Sequence, residues 1–402
     1  MTASISNQSA LLKVLYPKGV PYDLTYQDFP FLSLIPRDES FYGESMKIPL
    51  KYANSTGRSA TFSTAQANQN YAKSVAFFLT RVSDYAIAQI SSEAMEASET
   101  DPGAFVKLFK HEVDAAMKAA IISEATALAE DGEGTIAQID SGVTLASTVL
   151  TLRDIEEVVR FEVGQKIQFA SAKTGGSLRN SGASLSIVAI NRNTGVLTMS
   201  ANLSTITGIT VNDYLVIEGD FQAKMAGFSA WVPQVDPSSS PFFGVDRTSD
   251  IVRLSGLRDD YSALPIEEAL VKAMKRVHRE GSNANYAFLN FEKFAELENS
   301  LGSKVQYVDV NSPIGIGFRG IKVNSGKMPV TVLADMTVPS GNLWVTQMDT
   351  WKLASLKKSV RILNQDGNQQ LRVYNADAQE VRIGGYKNIA CMAPGYNGNF
   401  II

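Results

Sequence analysis

The segment from Glu44 to Ile87 constrains this chain most, because it holds two strands and a tip with too little around them to fold alone. Glu44–Tyr52 alternates, with Met46, Ile48, Leu50 and Tyr52 on one face and Lys47 and Lys51 on the other. Ser74–Ile87 reads as a second strand, with Val75, Phe77 and Leu79 spaced by two. Ala53–Lys73 between them is almost all Ser, Thr, Ala, Gln, Asn and Gly, and reads as structureless. Such a linker is unusual inside a compact domain, and a lone two-stranded hairpin is only marginally stable in water. At roughly 3.3 Å per residue, a strand and half the tip reach about 40–60 Å. A compact chain of this size has a radius of gyration of about 21 Å. The arm therefore has room to leave its own body and lie on a neighbour, which implies a subunit built to assemble.

The 402 residues suffice for about two or three domains with real cores. With 45% apolar and 19% charged residues the chain is globular rather than disordered. A net charge of −4 argues against a DNA-reading surface, which needs a concentrated basic face. Containment of DNA needs no base contacts and is compatible with an acidic chain. The single cysteine, Cys391, excludes an intrachain disulfide and reads as a small buried hydrophobe near a C-terminal strand. Met1–Ala10 lacks the basic start and apolar core of a signal peptide. No apolar run approaches the ~20 residues of a membrane span.

Residues 1–40 carry Pro17, Pro21, Pro30 and Pro36 and read as an extended arm with one short helix at Gln8–Leu15. The arm's Tyr16, Tyr22, Tyr26, Phe29, Phe31 and Leu32 are too apolar for a free tail. Pro102–Ala129 is the strongest helix. Phe105, Leu108, Phe109, Val113, Met117, Ala120, Ile121 and Leu128 form one stripe, Glu124 and four other charged residues lie mostly off it, and Asp131-Gly132 ends it. Residues 150–222 change texture. Short strands at Lys166–Ala170, Ser184–Asn191, Gly195–Met199 and Tyr214–Glu218, with turns at Thr174–Gly176 and Asn193–Gly195, suggest a small all-β barrel or sandwich. Helices follow at Ile266–Glu280 and Phe291–Ser300, the second capped by Asn290. Strands follow at Val305–Val310, Ile321–Asn324, Val330–Ala334, Leu343–Thr346, Val360–Leu363, Gln370–Tyr374, Gln379–Ile383 and Lys387–Ala393.

Catalytic constellations are absent from the pattern. His111 and His278 each stand alone on a helix without a second histidine one turn away, and read as solvated or interface residues. Gly315–Gly320 matches a dinucleotide fingerprint by letters, but a strand-like run follows where a helix N-terminus must hold the pyrophosphate, so it reads as a loop. Ser355–Lys358 and Lys173–Gly175 match acyl-enzyme motifs in reversed order with the third motif missing. Asp259-Asp260 and Glu267-Glu268 read as loop or first-turn acids, and Lys272, Lys275, Arg276 and Arg279 as a solvated helix face. No residue is assigned a catalytic, cofactor-binding or metal-ligating role, and no cofactor is expected.

The order of parts resembles the major capsid proteins of tailed bacteriophages, of the Hong Kong 97 fold. Ala230–Pro233 followed by Pro241–Arg247 is similar to the entry of such proteins into their apical domain. Asp349–Trp351, Glu380–Gly385 and Ile389–Met392 are similar to their return into the peripheral domain. The resemblance implies an α+β chain. It has an N-arm at 1–40, an E-loop at 41–90, a P-domain with the spine helix at 91–149, an inserted small all-β domain at 150–222, an A-domain at 223–350, and closing strands at 351–402. It implies a non-enzymatic coat subunit forming pentamers and hexamers of an icosahedral or prolate shell around double-stranded DNA, assembled in a bacterial cytoplasm. Implied partners are further copies of the chain, a portal, a decoration or minor capsid protein, and a scaffolding protein. Only about 40 residues precede the hairpin, and with Met1 in place this favours a separate scaffolding protein over a fused one. Relatives that cross-link through a Lys–Asn isopeptide bond offer no position that matches Lys51 or Lys73. Two alternatives stand beside this reading: an encapsulin-type compartment, and an enzyme or glycan-binding module using the β-rich segment.

Overall fold

The computed structural model describes residues 29–92, 102–302, 307–311, 317–324, 326–364 and 367–402. The expected helix at Gln8–Leu15 lies outside the described residues. The described end of the arm is set into the core. Pro30–Leu34 is a short helix whose proline occupies the first turn, where its missing N–H is not needed. β1 (Arg37–Asp38) then runs parallel to β17 (Trp351–Ser355).

β2 (Ser45–Ala53) and β3 (Lys73–Thr80) form the expected antiparallel hairpin, from Ser45 opposite Thr80 to Ala53 opposite Lys73. Two expectations need correction. The run Ser74–Ile87 is two strands: it breaks at Arg81, and β4 (Val82–Ser91) joins another sheet. The intervening tip is not structureless, because Phe62–Ala67 is a helix with no buried residue.

β20 (Ala378–Cys391) is the central strand of the next sheet. β4 pairs along one of its edges from Ala378 to Lys387, while β17, β18 (Arg361–Ile362) and β19 (Leu371–Arg372) pair with it in turn. The two strands expected at Gln379–Ile383 and Lys387–Ala393 are therefore one. Gly385 lies in its middle because a Cβ there would collide with the carbonyl oxygen of Ser359. The long helix spans Pro102–Ala129 as read from the sequence, and it packs on β4 and β20. Val113, Met117, Ala120, Ile121 and Leu128 are buried. Glu124, expected off the stripe, is fully buried as well. Its Oε2 lies 2.9 Å from Lys387 Nζ, and its Oε1 accepts the Ser359 hydroxyl at 2.8 Å.

Residues 135–217 make a six-stranded sheet with its own core. The strands are β5 (Thr135–Gln138), β6 (Val149–Thr151), β7 (Lys166–Ala170), β8 (Leu185–Asn191), β9 (Val196–Met199) and β10 (Tyr214–Ile217), in the order β5-β10-β7-β8-β9-β6. Its ends meet: Asp140 N donates to Thr151 O at 3.0 Å and Arg153 N to Gln138 O at 2.9 Å. This closure makes a barrel filled by Leu150, Phe161, Ile167, Phe169, Leu197 and Leu215. It takes in β5, upstream of residue 150.

The third sheet has seven strands. They are β11 (Leu257–Asp260), β12 (Tyr286–Leu289), β13 (Tyr307–Asn311), β14 (Gly317–Asn324), β15 (Pro329–Ala334), β16 (Asn342–Thr346) and β21 (Gly398–Ile401), ordered β11-β21-β16-β12-β15-β14-β13. Helices Ile266–Arg279 and Phe291–Leu301 pack on it and on each other. Leu270, Met274 and Val277 face inward as expected, and Asn290 Oδ1 caps the second helix by accepting Lys293 N at 2.9 Å. Gly317–Gly320, read as loop, lies in β14, paired with β13. Asp259 and Asp260 likewise sit in β11 rather than a loop.

Candidate assembly surface

The hairpin is held at its root and free at its tip. Arg81 turns the corner: its guanidinium donates to Phe41 O at 2.8 Å and to Gly43 O, and stacks over the Phe41 ring. Ile48, Phe77 and Leu79 are buried in the chain's own core. Phe77 packs edge-on against Trp231 at 5.1 Å and Phe242 at 6.4 Å. The seat for the hairpin is the segment Pro241–Arg247. Phe243 adopts a φ of 47°, a left-handed backbone costing roughly 1–2 kcal/mol, and its carbonyl accepts Phe78 N at 2.9 Å. Farther out, the Arg253 guanidinium donates to Tyr52 O. The apolar alternation of the hairpin, expected to lie on a neighbour, is in large part covered by the subunit itself. The hairpin is amphipathic, and the body offers an aromatic floor for its inner face.

Beyond Tyr52 that floor ends. Residues 54–64 and 66–74 are all exposed, including Phe62 at 84% and Tyr71 at 80%. The outer face of the hairpin carries Lys47 opposite Phe78 and Lys51 opposite Ser74. β4 adds Tyr85 and Ile87, both more than half exposed. Among the described residues β20 is the only strand paired with β4, so its other edge is open. Large apolar side chains on an open edge and on a projecting tip are features of a contact surface.

A second set of groups fixes the barrel to the body. Glu130, at the end of the long helix, lies 2.9 Å from both Arg160 and Lys173 of the barrel. Burial opposes its charge, but those two cations outweigh burial and hold its carboxyl below the usual range. Glu157, 3.6 Å from Arg160, is pushed up to about 7, chiefly by burial. Asn290 Nδ2 donates to Glu156 Oε2 at 2.8 Å, tying the barrel to the seven-stranded sheet's helix. Lys224 lies 2.9 Å from Asp84 and 3.1 Å from Asp220, joining β4 to the chain leaving the barrel. Glu157–Arg160 and Asp220–Lys224 are local pairs, one helical turn apart in sequence. The pairs of Glu130 with Arg160 and Lys173, and of Asp84 with Lys224, join residues tens of positions or more apart, follow no local period and were not visible in the sequence.

The residues weighed for chemistry are scattered. His278 is buried rather than solvated, with Nε2 3.4 Å from Ala284 O, and burial lowers its pKa. The His111 side chain lies outside the described residues. Cys391 is buried, and burial pushes its thiol far up. The Ser355 hydroxyl donates to Lys357 O, while Lys173 belongs to the barrel cluster. Lys272, Arg276 and Arg279 form ion pairs along their own helix, with Glu268 and Glu280. Among the described residues no group of three or more His, Cys, Asp or Glu is placed to hold a metal ion, and no helix is long and apolar enough to cross a membrane.

Two of the segments that carried the family resemblance touch. Trp231 of Ala230–Pro233 donates its indole N–H to Ile389 O of Ile389–Met392 at 3.1 Å. No family model matches the sequence, and no curated protein matches it. Solved structures do. The capsid asymmetric unit of cyanophage A-1(L) aligns over 93% of this chain and 92% of its own, with a TM-score of 0.54 at 10% identity. An encapsulin complex from Synechococcus elongatus aligns over 93% and 88%, with 0.46 at 7%. The major capsid and decoration proteins of phage G align over 93% and 89%, with 0.43 at 5%. Of these three, the cyanophage capsid alone exceeds 0.5, and at 10% identity it speaks for architecture rather than for shared residues. The chain has the mixed α+β capsid fold of the Hong Kong 97 type.

Proposed function

We propose that this protein is a coat subunit that assembles with copies of itself into a closed shell around double-stranded phage DNA. The observation that carries the reading is the hairpin with a buried root and a bare tip, on a body whose fold matches a phage capsid over nearly its whole length. In this reading residues 1–40 are the N-arm, 41–90 the E-loop, 91–149 the P-domain with its spine helix, 223–350 the A-domain, and 351–402 the returning strands. The barrel is an insertion that decorates or braces the shell. Free energy is then spread over many repeated contacts, and closed symmetry requires surfaces that complement each other. A portal, a scaffolding protein and a decoration protein are the expected partners.

The test is electron microscopy of the expressed protein and of a variant lacking residues 54–72. Wild-type protein is expected to form closed particles. The deletion variant should remain folded, because its root contacts are intact, yet form no closed shell. Normal particles from that variant would refute the role of the tip. Particles that carry cargo peptides instead of nucleic acid would favour an encapsulin-type compartment.

A further inference from the structure

The barrel is joined to the body by a narrow neck rather than by a shared core. The two chains of the neck, residues 132–134 going in and 218–222 coming out, run in contact. Gln222 N donates to Glu133 O at 2.9 Å, and a Cβ on Gly134, which has a φ of 81°, would lie 2.2 Å from Asp220 O. The apolar core of the barrel holds only residues from 136 to 217, and none of these enters either core of the body.

Polar pins join the two parts outside the neck. Glu130 reaches Arg160 and Lys173, Asp131 accepts the Thr174 hydroxyl, and Asn290 donates to Glu156. Open space flanks these pins. A cavity of about 80 Å³ lies between Ala119, Ile122 and Thr126 of the long helix and Ile136, Val159 and Ile217 of the barrel. A second, of about 480 Å³, opens between Gln138, Arg153 and Tyr214 of the barrel and Ser340 of the body. Glu130 lines both, so its cluster stands as a post between two gaps. A seam that is polar and loosely filled favours relative motion of the parts, whereas a broad apolar one opposes it.

We propose that the barrel pivots on this neck, and that the cluster of Glu130, Arg160, Lys173 and Glu157 is a latch that holds it against the body in acid and releases it as pH rises. Such a motion belongs to the single subunit and needs no shell. Facing Glu157 in the closed seam are Arg160 and Asp154 from its own segment, Glu130 from the end of the long helix, and Lys173 from the loop after β7. Burial is the largest influence on its carboxyl and raises it from 4.5 to about 7. Glu156, facing Asn290, Asp154 and Glu292, is pushed up as well, again chiefly by burial. A carboxyl raised in the closed form contributes fully to closure below about 4.5, and that contribution is lost as pH passes about 7. Beyond that point an ionised Glu157 gains water by opening, and it competes with Glu130 for Arg160.

The experiment measures how fast a thiol reagent reaches the seam of the full-length chain. Thr126→Cys places a thiol on the long helix and Thr135→Cys places one on the barrel. Both positions are buried and both line the cavity beside the helix. Two sites are used so that one remains if the other substitution disturbs folding. The native Cys391 is buried and reports global unfolding. Each rate is divided by that of free cysteine at the same pH. From about pH 5 to about pH 8.5 the corrected rate at the probes should rise roughly 70-fold, the ratio given by a carboxyl that returns from about 7 to 4.5 on opening, while Cys391 stays unlabelled. Adding Glu157→Gln should remove most of that rise, and adding Glu130→Gln should speed labelling at both pH values. Corrected rates that do not change with pH, or a full rise that survives Glu157→Gln, overturn the proposal. So does Glu130→Gln without acceleration, because the post is then no latch. Labelling of Cys391 in step with the probes also overturns it, since global unfolding rather than pivoting then exposes the seam.

Discussion

Glu124 shows where reasoning from periodicity stops at the level of single residues. A glutamate off the apolar stripe of a helix is ordinarily solvated, and here it is fully buried because β20 brings Lys387 within 2.9 Å from the far end of the chain. No local pattern announces such a partner. Glu157 is the residue with a consequence for pH. Facing it are Arg160 and Asp154 on its own segment, Glu130 at the end of the long helix, and Lys173 from the loop after β7. Burial dominates and raises its carboxyl from 4.5 to about 7. The folded state thus prefers the neutral acid. Its contribution is complete below about 4.5 and is lost as pH rises through about 7. Glu157→Gln, neutral at every pH, should be more stable than wild type at pH 8 by roughly 3 kcal/mol relative to their difference at pH 4. Urea unfolding at the two pH values measures this, and parallel profiles would contradict it.

At the scale of elements, the long helix and the hairpin strands were legible because each has one apolar face and a clear period. The barrel's inner strands were legible from turn spacing. β5 and β6 were not, since they are short and gain their meaning only by closing the ring. The barrel's two connections lie side by side: Gln222 N donates to Glu133 O at 2.9 Å. Excising 135–220 and joining the ends with a short flexible linker should therefore leave the rest foldable. Such a cut strips Glu130 of Arg160 and Lys173, and a carboxylate left buried without its partner costs about 3–5 kcal/mol. The excision combined with Glu130→Gln should melt higher than the excision alone. Equal melting temperatures would mean that water reaches Glu130 once the barrel is gone.

At the scale of the whole molecule, Phe31 ties the arm to both large sheets. Its ring meets Phe228 at 5.7 Å, Phe288 at 5.3 Å, Trp344 at 5.4 Å and Trp351 at 6.1 Å, and its N–H donates to the buried Asp335 at 2.8 Å. Trp344 belongs to β16 and Trp351 to β17, so one side chain spans the seam between the sheets. Phe31→Ala should cost about 3–5 kcal/mol, read as a fall in the denaturation midpoint. A loss below 1 kcal/mol would show that the seam closes without it. The sequence by itself determined the amphipathic hairpin, the 28-residue helix and the turn-rich β segment, because period and turn chemistry act over a few residues. Only the tertiary structure decided that the hairpin's inner face rests on its own Trp231 and Phe242, that β4 pairs with β20 and β11 with β21, and that buried acids find their cations. Those contacts join residues up to hundreds of positions apart, and no local rule distinguishes the partner that is met from the many that are not.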